Sequence, residues 1–316
     1  MAQRLDLFGW IRIRRLDSEG QRGERGAMNA GVWLVRSARP GEVCVQKVCR
    51  AVDFERSQFP VPQEMAVMRY LSNKGGHENV NKLVSLAYDE GRRLGCLVLE
   101  RCELGTLEGL VLRSREHRIA IPEAFLRHIF LSIAEALAFI HYGVADALRN
   151  PTPRSIWAAA VHMDIKLSNI FISRKPSSRN PYYPTVVLGD FGCCERLDAL
   201  NSMPTRVNAT DLRQSPPEAP LWWATSDVWQ LGNVMRCLAS GWREPQDRNR
   251  PNSDVLFGRR SSHLRNQIGL IKHTEVRQRI TSVELPQQLV QARQAAVAAG
   301  MLDIRAAPLP AQLLRD

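Results

Sequence analysis

The ten residues VHMDIKLSNI, 161–170, constrain this chain more than any other stretch. A histidine, an aspartate, a lysine and an asparagine crowd between two apolar ends. Neither the two-residue period of a strand nor the 3.6-residue period of a helix gathers them on one side. The segment reads as a polar loop between apolar anchors. Further along, VVLGDFGCC reads as a buried strand that ends in a carboxylate, Asp190, with a glycine where the chain can turn away.

The rest of the chain can supply the core that such loops need. Its 316 residues suffice for one large domain or two lobes, and 44% apolar with 24% charged is the balance of a globular protein. The longest apolar region, AFLRHIFLSIAEALAFIHYGV, carries Arg127, His128 and Glu135, so it is expected to be a buried amphipathic helix and not a membrane span. The start, MAQRLDLFGWIRIRRLD, lacks the apolar run of a secretory signal. Seven cysteines without paired CxxC and histidine spacing argue against zinc. They fit reduced thiols inside a cell, in cytoplasm or nucleus, most of them small buried apolar residues. The net charge of +11 comes from dispersed arginines, which read as a solvated basic surface. Nucleic acid is not indicated; attraction to acidic partners or anionic surfaces stays open.

The pattern changes along the chain. Residues 10–16 (WIRIRRL), 32–37 and 42–49 alternate as strands, the last two joined by Pro40-Gly41 as a hairpin. Residues 62–72 show helical spacing at Met65, Met68 and Leu71, and residues 97–99 form a buried strand. After Thr106 helices dominate, foremost 125–142 and 222–240, the latter bounded by Gly241. Residues 143–157 and 173–184 look like irregular insertions. The expected class is α+β, a small strand-rich lobe over residues 10–99 after a short segment 1–9. A connector at 100–102, a larger helical lobe over 103–286 and a C-terminal helix and tail over 287–316 complete it.

His-x-Asp-x-Lys-x-x-Asn supplies most of the parts of phosphoryl transfer. Asp164 can orient a hydroxyl and accept its proton, Lys166 can neutralise a moving phosphoryl group, and Asn169 can offer an amide oxygen to Mg2+. Positioning and electrostatics carry most of the rate in that chemistry. With Asp190-Phe191-Gly192 following, then SPPEAP, SDVWQLG and RQRITSVEL in order, the chain resembles the eukaryotic protein kinases.

The resemblance covers about residues 10–285 and implies a bilobal kinase fold. It implies ATP and Mg2+ as cofactors, protein substrates and a monomer. Asp164 is then the catalytic base beside Lys166, and Asn169 and Asp190 are the metal ligands. Lys47 is the strand lysine that holds the phosphates and Glu64 its helix-borne partner, with Glu55 as the rival. Val32, Val45 and Phe171 would enclose the adenine, Leu99 would gate the rear pocket, and Glu100 and Cys102 would form the connector. Gly26 and Gly31 would serve the phosphate loop. Asp227, Trp229 and Gly232 match the large-lobe helix, and Arg279 would pair with Glu218. His162 is expected behind the site, Phe191 and Met68 in the core, and Cys193 and Cys194 in packing roles.

Three departures matter. Aligning without gaps puts the family's three loop glycines on Arg25, Ala27 and Ala30. Met163 replaces the arginine that usually binds a phosphorylated activation loop, so phosphorylation at Ser202, Thr205 or Thr210 is not expected to be the main switch. Asp211 takes the usual threonine position, while Lys166 favours serine/threonine specificity. The leading reading is a protein serine/threonine kinase. A pseudokinase that binds without turnover is the alternative. A small-molecule kinase is disfavoured by Lys166, Pro-Pro-Glu, Asp-x-Trp and Arg279.

Overall fold

In a computed structural model the chain divides into two compact units. The described residues are 6, 8–17, 29–37, 42–50, 61–197, 204–206, 214–245, 253–300 and 308–314. Gly26 and Glu55 lie outside them, as do Ser202, Thr210 and Asp211.

The first unit takes in residues 1–76, 81–101 and 191–194. Its elements are β1 (Trp10–Arg15), β2 (Asn29–Ser37), β3 (Val43–Arg50), α1 (Gln63–Asn73), β4 (Leu83–Asp89) and β5 (Leu94–Glu100). They build one antiparallel sheet in the order β1-β2-β3-β5-β4. The two-residue period of β3 sorts its side chains by chemistry. Val45, Lys47 and Cys49 share a face with Val32, Leu34, Leu97 and Leu99 through the register. The other face carries Val35, Cys44, Cys96 and Val98, packed under Phe8, Trp10 and Trp33. Gln46 on that face is fully buried, and it is satisfied by donating to Asp6 Oδ2 at 2.6 Å and accepting from Arg12 Nε at 3.1 Å.

Helix α1 buries Met65, Met68 and Leu71, the expected stripe, together with Val67 and Glu64. A side-chain carbon on Gly95 of β5 would stand 2.2 Å from Met65 Sδ of α1, so a larger residue there would have to displace the Met65 side chain. Strand β4 has an irregular burial pattern and gave no clean alternation in sequence.

The second unit takes in residues 77–80, 102–190 and 195–316. It holds α2 (Leu107–Glu116), α3 (Glu123–Tyr142), β6 (Ala159–Val161), β7 (Ile170–Pro176), β8 (Pro184–Leu188) and β9 (Glu195–Leu197). It continues with β10 (Thr205–Arg206), β11 (Leu221–Trp222), α4 (Ala224–Ser240), α5 (Ser253–Gly258), α6 (Ser262–Ile271) and α7 (Glu284–Ala298). Helix α3 is long and apolar enough to cross a membrane, but 89% of that window is buried in the unit's own core, as its charged residues suggested. It stops at Gly143, whose φ of 71° suits glycine.

The insertion expected to be irregular at 173–184 needs a correction. Its first part extends β7, with Pro176 opposite Pro184, and Thr185 Oγ1 donates to the Lys175 carbonyl at 3.0 Å. Polar residues and prolines hid a ladder that its long-range partner strand supplies. The large unit is also less purely helical than expected, since β6 pairs with β9, β7 with β8 and β10 with β11.

Candidate active site

The polar loop is assembled from beneath by α4. Asp227, without exposed surface, accepts the backbone N–H of His162 at 2.7 Å and of Met163 at 2.9 Å. Gln230, one turn on, accepts from the Ile165 N–H at 3.0 Å and donates to the carbonyls of Met163 and Gln214. Asp227 and Gln230, at i and i+3 on one face of a helix that also buries Ser226 and Asn233, were the available signal for this role. His162 is fully buried behind the loop, with Nε2 3.0 Å from the Gly189 carbonyl, as expected of it.

On this frame the loop gathers its functional groups. Lys166 Nζ donates to Asp164 Oδ2 at 2.8 Å, and Asn169 Nδ2 donates to the same oxygen and to the Asp164 carbonyl, each at 2.9 Å. Asn169 therefore commits its amide nitrogen to Asp164, and Oδ1 is the atom of that amide able to ligate a cation. The Gly189 N–H donates to the Asn169 carbonyl at 3.0 Å, tying the loop to the residue before Asp190. Met163 (φ 63°) and Asp190 (φ 59°) both occupy left-handed backbone, which costs non-glycine residues about 1–3 kcal/mol each and tends to cluster at functional sites.

The chemistry of the donors suits Mg2+. A carboxylate and an amide oxygen are hard ligands, and Mg2+ usually takes one or two protein groups and completes its octahedron with phosphate oxygens and water. Among the described residues no group of three His, Cys, Asp or Glu side chains forms a self-sufficient metal cage.

In the sheet unit, Lys47 Nζ donates to Glu64 Oε1 at 2.9 Å and stands 2.8 Å from Oε2. Both residues are buried, at 7% and 5% exposure, so the charges are a desolvated pair. Val32, Val45 and Leu99 share the sheet face of Lys47. Gly31 follows a register break in β2. The Glu100 N–H donates to the Lys82 carbonyl at 2.9 Å, and the Cys102 carbonyl accepts from Gly105 N at 3.4 Å. Phe171, half-buried, pairs with Val187 in the β7–β8 ladder and bridges to Thr106.

Farther from the loop, Arg279 makes a bidentate pair with Glu218 at 2.6 and 3.0 Å, and Ser226 Oγ donates to Glu218 Oε1 at 2.5 Å. Burial pushes the Glu218 carboxyl up, but the donors Arg279 and Ser226 outweigh it and hold it below its ordinary value. Phe191 and Met68 are buried, as expected. Cys193 is exposed, which corrects the packing role given to it, whereas Cys194 is buried.

The chain matches the family described as Protein kinase domain over residues 25–288. It is similar to Serine/threonine-protein kinase Nek1 of Toxoplasma gondii, 25% identical over 192 residues, which are 59% of this chain and 11% of that protein. It is also similar to Inhibitor of nuclear factor kappa-B kinase subunit epsilon of Mus musculus, 26% identical over 223 residues (67% of this chain, 28% of that protein). Serine/threonine-protein kinase ATG1a of Arabidopsis thaliana is 24% identical over 226 residues, 70% of this chain and 30% of that protein. The chain thus matches from 11% to 30% of the length of these curated relatives.

Proposed function

Since this chain belongs to the protein kinase domain family, we propose that it is an ATP- and Mg2+-dependent protein kinase acting on serine and threonine hydroxyls of protein substrates. The observation that carries the reading is Asp164, whose carboxylate is fixed by Lys166 and Asn169 on a loop that Asp227 and Gln230 suspend. Asp164 orients the incoming hydroxyl and takes up its proton. Lys166 offsets negative charge beside that carboxylate. Asn169 and Asp190 supply oxygens to Mg2+, which when bound would neutralise charge on the nucleotide's phosphates. Lys47, kept in place by Glu64, is assigned to those phosphates. Val32, Val45, Leu99, Glu100, Cys102 and Phe171 are assigned to the adenine, and Gly26 and Gly31 to the phosphate loop. Serine/threonine preference draws on Lys166 and on the relatives' names. The odd count and scattered placement of the seven cysteines support an intracellular setting, cytoplasm or nucleus, and the chain is proposed to act as a monomer.

A radiolabelled transfer assay on peptide and protein pools tests this. Asp164→Asn should lower the rate by about a hundredfold or more, the scale of losing one preorganised electrostatic group. Undiminished turnover in that variant would overturn the assignment. The second reading, a module that binds without turnover, draws on the displaced glycines around Arg25, Ala27 and Ala30. Millimolar Mg2+-ATP should raise Tm if the nucleotide binds, and Asp190→Ala should cancel the shift; no shift in the unaltered chain favours this second reading.

A further inference from the structure

Lys47 is not the sole side chain on the Glu64 carboxylate. Cys49 Sγ lies 3.6 Å from Glu64 Oε2, the oxygen that also stands 2.8 Å from Lys47 Nζ. Two residues apart on β3, the thiol and the ammonium project from one face, and α1 lays the carboxylate across both. All three side chains are withdrawn from water, with Cys49 at 3% exposure. A buried carboxylate gains from each donor it finds, because the lost hydration of every lone pair must be replaced. An ammonium is a compact charge with freely rotating donors and fixes no plane for its partner. A thiol on a rigid strand adds a direction. Burial first, and the Glu64 charge second, push the Cys49 thiol well above its ordinary value. It therefore stays protonated, able to donate and unreactive as a nucleophile.

We propose that Cys49 is a positioning residue whose S–H anchors Glu64 Oε2, so that the carboxylate keeps the Lys47 ammonium in a fixed place. The purpose of the pair rests on the kinase reading; the hydrogen bond does not.

Two measurements on the full chain test it. The infrared difference between the unaltered chain and Cys49→Ser isolates the Cys49 S–H stretch. It should lie on the low-frequency side of the other thiols and move upward in Glu64→Gln. A stretch at the position of an unbonded thiol, unmoved by Glu64→Gln, overturns the proposal. Calorimetric binding of Mg2+-ADP supplies the second readout. Cys49→Ala should weaken it about fivefold, less than the roughly tenfold or more of an ordinary hydrogen bond to a charged group, because a thiol is a weak donor. Cys49→Ser, which restores a donor in a side chain of nearly the same size, should recover affinity to within about twofold. Equal affinity in Cys49→Ala and the unaltered chain, with Lys47→Ala defective, also overturns it. Failure of the unaltered chain to bind nucleotide counts against the kinase reading, and the S–H stretch still decides the contact.

Discussion

Asp227 Oδ2 accepts the backbone N–H of His162 at 2.7 Å, and the same oxygen lies 2.9 Å from His141 Nε2. A helix side chain thereby holds the polar loop from below while His141, itself 2.9 Å from Ser282 Oγ, braces the helix side. Asp227→Ala would leave the N–H groups of His162 and Met163 and the ring of His141 without an acceptor in a dry interior. The expected loss is about 3–5 kcal/mol of stability, the range for removing one partner of a buried charged network. Chemical denaturation should show it as a lower midpoint, with Asp227→Asn losing less because one oxygen acceptor remains.

Met163 sits where a phosphate-binding arginine is usual, and it is fully buried with Val161, Trp222 and Ala224. An apolar cluster offers no counter-charge to a phosphate. The triple variant Ser202→Ala, Thr205→Ala, Thr210→Ala should therefore keep transfer activity within about threefold, since no arginine waits at this point to be engaged. Initial rates on a protein pool measure it, and loss of activity in a folded triple variant would contradict it.

Much of this is legible in the sequence, for reasons that differ by residue. Asp164 and Asn169 were visible because polar groups at fixed intervals between apolar anchors have no packing explanation, and Asp190 because a carboxylate ends a buried strand just before a glycine. Lys47 and Glu64 are legible only through the family resemblance, since a lone lysine in a strand and a lone glutamate on a helix read as solvated surface residues. Strand β4 was not visible, since its burial follows no simple alternation. Nor was the extension of β7, whose proline-bearing partner strand is set by tertiary pairing. Contacts that depend on distant partners left no local mark: Cys49 with Glu64, Gln46 with Asp6, and Arg179 with both Glu135 (2.5 Å) and Asp146 (2.6 Å). The last of these ties the two apparent insertions to α3 and to each other.

The Arg279–Glu218 pair predicts a particular acid response. The Glu218 carboxyl is held below the ordinary 4.5 in the folded chain, so the unfolded chain binds the extra proton as pH falls. Its contribution is present above that ordinary value and is lost as pH drops through the folded one. Glu218→Gln should flatten the acid limb of a stability–pH curve. Arg279→Ala, which strands the carboxylate, should cost about 3 kcal/mol near neutral pH by denaturant midpoint.

His77 makes a parallel case for a base, and in a more accessible window. Its ring stacks on Phe139 at 5.4 Å, and its Nδ1 accepts the Asn79 N–H at 3.1 Å, so that nitrogen must be unprotonated in the fold. Burial lowers its pKa from the ordinary 6.5 to about 4, more than Glu78 and Asp146 raise it, while Arg179 lowers it further. Between those values the unfolded chain carries a proton that the folded chain rejects, so stability must fall as pH drops from 6.5 to about 4 and be complete above that window. One proton's difference gives a slope of up to about 1.4 kcal/mol per pH unit. Replacing His77 by glutamine keeps a polar acceptor near Asn79 but cannot titrate, so His77→Gln should remove that slope and leave the lower-pH limb set by carboxylates such as Glu218. Denaturant unfolding at half-unit steps from pH 4 to pH 7.5 measures it; parallel curves for His77→Gln and the unaltered chain would show that the ring is protonated as readily in the fold as in water.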